Sequence, residues 1–347
     1  VLDRDVYTMP VGAASILQNF EPSVRGGYRR LSGTAKFSAT QVGSSSSTIL
    51  GVAVFNSGVV AAQSTNVYFG TGSSWTSIDS GRTSAGRYRF EKYNFSTNEE
   101  RLIFADGANS PSVYNGTTVM DIKGATTIST TGSASGSSTS LSVSSAAGII
   151  EGMYIGGTNI GSGAKVSSIS GTTVTMSVAT TGTISSGSVT FAGLGTAPSD
   201  PSMVTAFKNH MFYAGMSAEP NTIVFSAIGD ENDFTASNGA GSLNVDSTII
   251  ALKSFRGELI IFCEDRIYKL AGNALADFAI APISRNVGCS DAFSIQEIGG
   301  DVIFLAPDGL RTIAGTARIG DVELGTVSKQ IQARISDIGF TNVSSVV

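Results

Sequence analysis

A chain of 347 residues with 41% apolar and only 14% charged side chains is long enough for a large core and too apolar for disorder. Its net charge of −5 leaves no electrostatic footprint for gripping nucleic acid. No apolar run approaches the ~18 residues of a membrane-spanning helix, and the first residues carry no signal-peptide core.

Near the N-terminus, "RGGYRR" gathers Arg25, Arg29 and Arg30 around Tyr28. Three arginines in an acidic chain do not make a nucleic-acid-binding stripe. Arg and Tyr are enriched at protein interfaces, so a subunit contact is the expected role. Next come "FNSGVVAAQSTNVYFGTG" and "ERLIFADGANSPSVYNG", each an apolar strand, a short polar turn and a second strand. Counted from Val59 and Leu102, the first residues of their apolar runs, the copies lie 43 residues apart.

From Leu102 to the next such run at Met211 is 109 residues, more than twice that unit. The surplus is Gly124–Gly193, whose only charged residues are Glu151 and Lys165. Alternation in "AKVSSI" and "TTVTMSV" predicts strands with Val166, Ile169, Val174, Met176 and Val178 in a core. A small all-β domain spliced into a loop of the repeating unit is expected, entered through a low-complexity linker over Ser129–Ser140. Long insertions at exposed loops are tolerated because closure entropy grows slowly with length. Peripheral contact with a glycan, fibre or neighbouring subunit, or plain decoration, are the roles open to it.

The pattern resumes at Met211 in "FKNHMFYAGMSAEPNTIVFSAIG", at Leu259 in "FRGELIIFCEDRIYKLAG" and at Val302 in "DVIFLAPDGLRTIAG". Met211 to Leu259 is 48 residues; Leu259 to Val302 is again 43, without a gap. Units of ~40–45 residues with about four short strands predict the blades of a β-propeller. A lone blade has two apolar faces and can bury neither, so its neighbours must cover them. Closing the ring leaves only short, protected edges. The expected fold is therefore all-β, a propeller of four-stranded blades with a small inserted β domain. Blades are assigned to residues 1–123 and 194–347, the insertion to 124–193. A β-sandwich with coincidental spacing is the alternative.

Cys263 falls inside an apolar strand and reads as a buried free thiol; with Cys289 it makes a poor disulfide framework. In "TVSKQIQARISDI", Val327, Ile331, Ile335 and Ile338 share one face at helical spacing, which predicts a short helix on the propeller rim. One further period after Val302 falls at Ser345, where "VSSVV" opens another apolar run. The last blade is then expected to be completed by chain beyond Val347, or else by N-terminal strands around Ile16 and Val24.

Catalysis has little to stand on. The single histidine, His210, lies at a strand start without matched partners and reads as structural. "CEDR" offers Glu264 and Asp265 for glycoside cleavage, yet Asp265 recurs as Asp308 one unit later, which is hairpin-turn chemistry. The nearest thing to a metal site is "GDENDF", where Asp230 and Asp233 are the candidate calcium ligands; it lacks the EF-hand spacing, and a solvated turn explains it as well. No phosphate-binding loop is present. Neither an enzymatic activity nor a cofactor is expected.

The opening "ILQNFEPSVRGGYRRLSGTAKF" resembles the start of tail nozzle or tail-hub proteins of short-tailed phages, the family of T7-like tail tubular protein B and P22-like DNA-stabilising tail proteins. The order of "IVFSAIGDENDFTASNGAGSLNV", "IIALKSFRGELIIFCEDRIYKLAG", "ISRNVGCSDAFSI" and "DVIFLAPDGLRTIAG" is similar to their propeller core across most of Ile223–Gly315. The motifs are loose and β-rich; their succession is more telling than any one of them. The resemblance implies a virion protein of the phage tail, forming a homo-oligomeric ring of six. That ring would sit below the portal and adaptor, near tail-fibre proteins, around a channel that retains the genome and conducts it during ejection. Two other readings stay open. One is a glycan-binding adhesin, using the inserted module or aromatics such as Trp75 and Tyr88. The other is a propeller glycosidase or lyase.

Overall fold

The computed structural model describes residues 19–22, 27–33, 35–43, 47–83, 86–95, 100–125 and 127–313. The helix expected around Val327–Ile338, the strand around Ile16 and Arg25 all lie outside them. Among the described residues, strands and turns dominate, joined by two single turns of 3-10 helix at Ala236–Asn238 and Ala292–Ser294.

Four sheets are antiparallel meanders of four strands each. The first blade runs Ile49–Phe55, Gly58–Gln63, Asn66–Gly70 and Trp75–Asp79. The second runs Arg89–Tyr93, Arg101–Ala105, Ser112–Tyr114 and Val119–Asp121. The third is Met203–Phe207, His210–Ala214, Thr222–Phe225 and Gly241–Asn244. The fourth is Ile249–Phe255, Glu258–Cys263, Ile267–Ala271 and Ala279–Ser284. A fifth blade shows three described strands, Gln296–Ile298, Asp301–Ala306 and Gly309–Thr312. Val59, Leu102, Met211, Leu259 and Val302 each fall in the second strand of their blade.

Those second strands explain the apolar runs. Those of the second, third and fourth blades send alternate side chains into two different cores. Leu102 and Phe104 pack with Val60 and Phe55 of the first blade, while Ile103 and Ala105 pack with Met211 and Tyr213 of the third. Phe212 and Ala214 then meet Leu259 and Ile261, and Ile260 and Phe262 meet Val302 and Phe304. A strand buried on both faces has no polar side to alternate, so it reads as continuous apolar sequence. A sandwich would place all these strands around one shared core. Here successive sheets bury one another in chain order, which is the packing of a β-propeller.

The turn from first to second strand recurs in four of the five blades. Asn56–Ser57, Lys208–Asn209, Arg256–Gly257 and Gly299–Gly300 all adopt positive φ at both positions. Two-residue turns of that hand match the right-handed twist of the strands they join.

The insertion follows the last strand of the second blade and precedes the first strand of the third. A two-stranded neck, Gly124–Ala125 against Gly195–Thr196, carries a sheet of six strands. Its order runs Tyr154–Gly157, Ile184–Ala192, Ile128–Ala134, Ser140–Val143, Thr173–Met176, Val166–Ser170. Tyr154 and Lys165 pair across the remaining gap, closing the sheet into a small barrel around Leu141, Met153, Val174, Val189 and Phe191. Two expectations are corrected. Ser129–Ala134 is no linker but most of a strand paired with Ile184–Ala192, because its Ser and Thr side chains alternate outward on a half-buried sheet. Val178 is 38% exposed, since the strand holding Val174 and Met176 ends at Met176.

The first strands of the first four blades line the propeller axis, each touching the next. No helix among the described residues is long and apolar enough to cross a membrane, a statement that does not bear on strand-built pores.

Candidate functional site

Two concave regions dominate, one at the axis and one at the seam between barrel and propeller. At the axis, Arg87 and Arg89 of the second blade reach Phe293 of the fifth. Their guanidinium carbons stand 3.5 Å and 3.8 Å from its ring centroid. Arg89 also donates to the Ala292 carbonyl. Burial, and then the neighbouring Arg87 charge, pull the Arg89 guanidinium down to about 10. The contact joins blades separated by two others, so Phe293 bridges the axis. On the side of the first blade it leaves a cavity of about 800 Å³, where Val52 and Val54 are exposed.

The seam groove, of about 760 Å³, is walled by the barrel on one side and the chain after Thr222–Phe225 on the other. Here lie the residues of "GDENDF". Asp230 accepts from the Asn232 amide at 3.0 Å and stands 3.5 Å from Lys165 of the barrel. Asp233 accepts from the Thr235 amide at 2.8 Å and from Asn238 Nδ2 at 2.7 Å. Glu231 is paired with Arg101 of the second blade at 2.7 Å. Asn232 Nδ2 donates to the Glu151 carbonyl at 3.2 Å, tying barrel to blade. The carboxylates thus serve turns and the seam. Among the described residues no group of three or more His, Cys, Asp and Glu is arranged to hold a metal ion.

Electrostatics at the seam are strained. Burial first, and the Glu231 and Asp233 charges with it, hold the Asp230 carboxyl above its ordinary range. Burial raises Glu151 as well. The buried Tyr93 phenol, pushed far above its usual value by burial and then by Glu231, lies beside Arg101 without a well-formed hydrogen bond between them. Lys165 sits 4.5 Å over the Tyr154 ring, and Tyr154 is 37% exposed.

The remaining candidates are accounted for by packing. His210 is buried, its Nδ1 2.6 Å from the Ser226 carbonyl, among Phe212, Phe225 and Phe278. Asp265 is paired with Arg266 at 2.9 Å, and its repeat counterpart Asp308 with Arg311. Tyr88, named with Trp75 as an aromatic for glycan contact, is only 3% exposed. Its hydroxyl accepts from Arg82 Nε at 3.0 Å between the first two blades. Trp75 donates from Nε1 to the Thr40 carbonyl at 3.2 Å. Arg82 carried no sequence signal of its own, since its partners Asp106 and Ser112 lie 24 and 30 residues away.

No family model matches this chain, and no curated protein matches it. Solved structures do. The computationally designed Ika4 protein aligns over 73% of this chain and 99% of its own, at 10% identity and a TM-score of 0.32. Hsv2 of Kluyveromyces lactis aligns over 80% and 79%, at 8% identity and 0.32. The extracellular domain of the one component system BT4673 from B. thetaiotaomicron aligns over 78% of this chain and 32% of its own, at 12% identity and 0.33. The propeller assignment stands on the sheet order and inter-blade cores described above.

Of the basic cluster, Tyr28, Arg29 and Arg30 form a strand paired with Phe20–Pro22 in a hairpin separate from every blade. Register places Phe20, Tyr28 and Arg30 on one face, with the Glu21–Arg29 ion pair, 2.5 Å, on the other. Phe20, Tyr28 and Leu31 are all exposed.

The two cysteines are free and buried. Burial pushes the thiols up to about 12 for Cys263 and about 11 for Cys289. A thiol reagent at pH 8 is expected to leave both unmodified in the folded protein and to titrate both on unfolding. Rapid labelling of either in native buffer would contradict this placement.

Proposed function

We propose that this protein is a non-catalytic structural component of a short-tailed phage tail, a nozzle or hub ring that holds and then conducts the genome. The observation that carries the reading is the exposed hairpin bearing Phe20, Tyr28 and Arg30 on one face. A basic, aromatic projection on a chain of net charge −5 complements acidic surface rather than itself. Such a contact is heterologous, head to tail, and heterologous contacts build rings when the rotation closes. The likeness of Ile223–Gly315 to tail-hub sequence points the same way, and the described residues of that stretch, 223–313, lie in blades whose sheets bury one another, suited to a stiff wall. Since Phe293 bridges the propeller axis, the DNA path in this reading runs between copies, not through one.

Mass photometry and negative-stain microscopy of the full chain, alone and with portal and adaptor, test it. A ring of six is expected, and Arg30→Glu with Tyr28→Ala should shift the population to smaller species without changing the thermal midpoint. A persistent monomer that joins neither portal nor adaptor would sink the proposal.

A further inference from the structure

A projecting hairpin needs a surface to receive it, and the exposed apolar side chains point to one. Among the described residues, those beyond the N-terminal region gather in two concave places. Ile49, Val52 and Val54 line the axial cavity, and Tyr154 and Ile228 line the seam groove, where Ile228 is 56% exposed. Val178, Leu275 and Ile298 line neither.

Charge separates the two. Around the axial cavity stand Arg87, Arg89 and Lys92 against Glu91 alone, so a further guanidinium is repelled there. The seam groove has the opposite balance, with Glu151, Asp230, Glu231 and Asp233 against Arg101 and Lys165. Glu231 is taken by Arg101, Asp230 is shared with Lys165, and Asp233 is held by its own turn. Glu151 forms no ion pair among the described residues; only its backbone carbonyl is tied into the seam, by Asn232. Burial, and then the Glu231 and Asp233 charges, hold the Asp230 carboxyl above its ordinary range, a penalty that an incoming cation relieves.

The hairpin carries the counterpart. Phe20, Pro22, Tyr28 and Arg30 share one face of it. Arg29 on the other face is taken by Glu21, whereas Arg30 forms no ion pair among the described residues. Aromatic side chains flanking one free guanidinium match apolar side chains flanking surplus carboxylate.

We propose that the hairpin of one copy docks into the seam groove of the next, with Arg30 facing Glu151 and Asp230, and Phe20 and Tyr28 packed on Ile228 and Tyr154. This inference rests on the ring reading and names its receiving surface. Each copy then offers one hairpin and one groove, all of them used when the ring closes. The inserted barrel supplies one wall of the contact.

Charge exchange and cross-linking in the full chain test it. Arg30→Glu and Glu151→Arg should each raise the concentration needed for assembly by about tenfold or more, and the double variant should restore it. All three should keep the wild-type thermal midpoint. Mixing Tyr28→Cys copies with Ile228→Cys copies under mild oxidation should give a disulfide-linked pair that neither variant forms alone; the native thiols are buried. Wild-type rings with neither rescue nor linkage would overturn this docking and leave the ring standing. A wild-type protein that stays monomeric would overturn both. Linkage within one chain of Tyr28→Cys/Ile228→Cys would also overturn the docking, because the hairpin would then fill its own groove.

Discussion

Arg82→Met is expected to lower the stability of the protein by about 3–5 kcal/mol, read as a large fall in the urea midpoint. Arg82 is 8% exposed and sits between the first and second blades. It donates to Asp106 at 3.1 Å, Asp79 at 2.9 Å, Ser112 at 2.8 Å and the Ser110 carbonyl at 3.3 Å. Its guanidinium carbon lies 5.1 Å from the Phe104 ring centroid and 5.6 Å from that of Tyr88. Methionine keeps much of the volume but leaves the Asp106 carboxylate, whose side chain has no exposed surface, without its counter-charge. The loss is expected to be partly recovered in Arg82→Met/Asp106→Leu, because removing both partners abolishes the stranded charge. A single variant within 1 kcal/mol of wild type would show that the network does not hold these blades together.

Acid should act on the same group. Burial opposes ionisation of Asp106, but the Ala108 amide, Asn109 and Arg82 together outweigh it and hold the carboxyl below its ordinary value. A carboxyl whose folded-state pKa is depressed contributes stability above its unfolded value and loses it as pH falls through the folded one. Wild-type stability should therefore fall below the usual carboxylate range, with a shallower fall in Asp106→Asn.

Gly288→Ala is the second substitution expected to do severe damage. A Cβ there would lie 2.1 Å from the Glu264 carbonyl oxygen and 2.4 Å from that of Cys263. Both are backbone atoms of the fourth blade, and the Cys289 amide donates to the second of them at 2.9 Å. No side-chain rotation relieves such a clash; the link between fourth and fifth blades has to move away, losing that hydrogen bond and opening the core around Phe262 and Phe304. A loss of about 3 kcal/mol or more is expected, at the upper end for overpacking, read as a lowered thermal midpoint or loss of soluble protein. Gly33→Ala, where a Cβ meets nothing within 4 Å, is the matched control and should change little. Equal behaviour of the two variants would refute the close approach.

Much of the candidate site was invisible in the residue order. "GDENDF" was legible as an acidic turn, and Asp230 and Asp233 as its carboxylates, but their use was not. Asp230 meets Lys165 of the barrel and Glu231 meets Arg101 of the second blade, 130 residues away. Tyr154 and Lys165 belong to the groove only because the barrel closes through them. The axial contact is more remote still, with Arg89 and Ala292 separated by 203 residues.

What the sequence alone determined was the unit: apolar runs at Val59, Leu102, Met211, Leu259 and Val302, each a second strand, and those of the second, third and fourth blades buried on both sides. Burial on two faces is a local demand, written directly into consecutive side chains, so it survives without knowledge of the partner. Only the tertiary structure decided which blade covers which face, that Ser129–Ala134 pairs instead of linking, and that Asn56, Ser57, Lys208 and Asn209 turn with positive φ. Those outcomes depend on strand twist, sheet closure and charges brought together across long separations. No window of neighbouring residues contains them, because the atoms that decide them become neighbours only after folding.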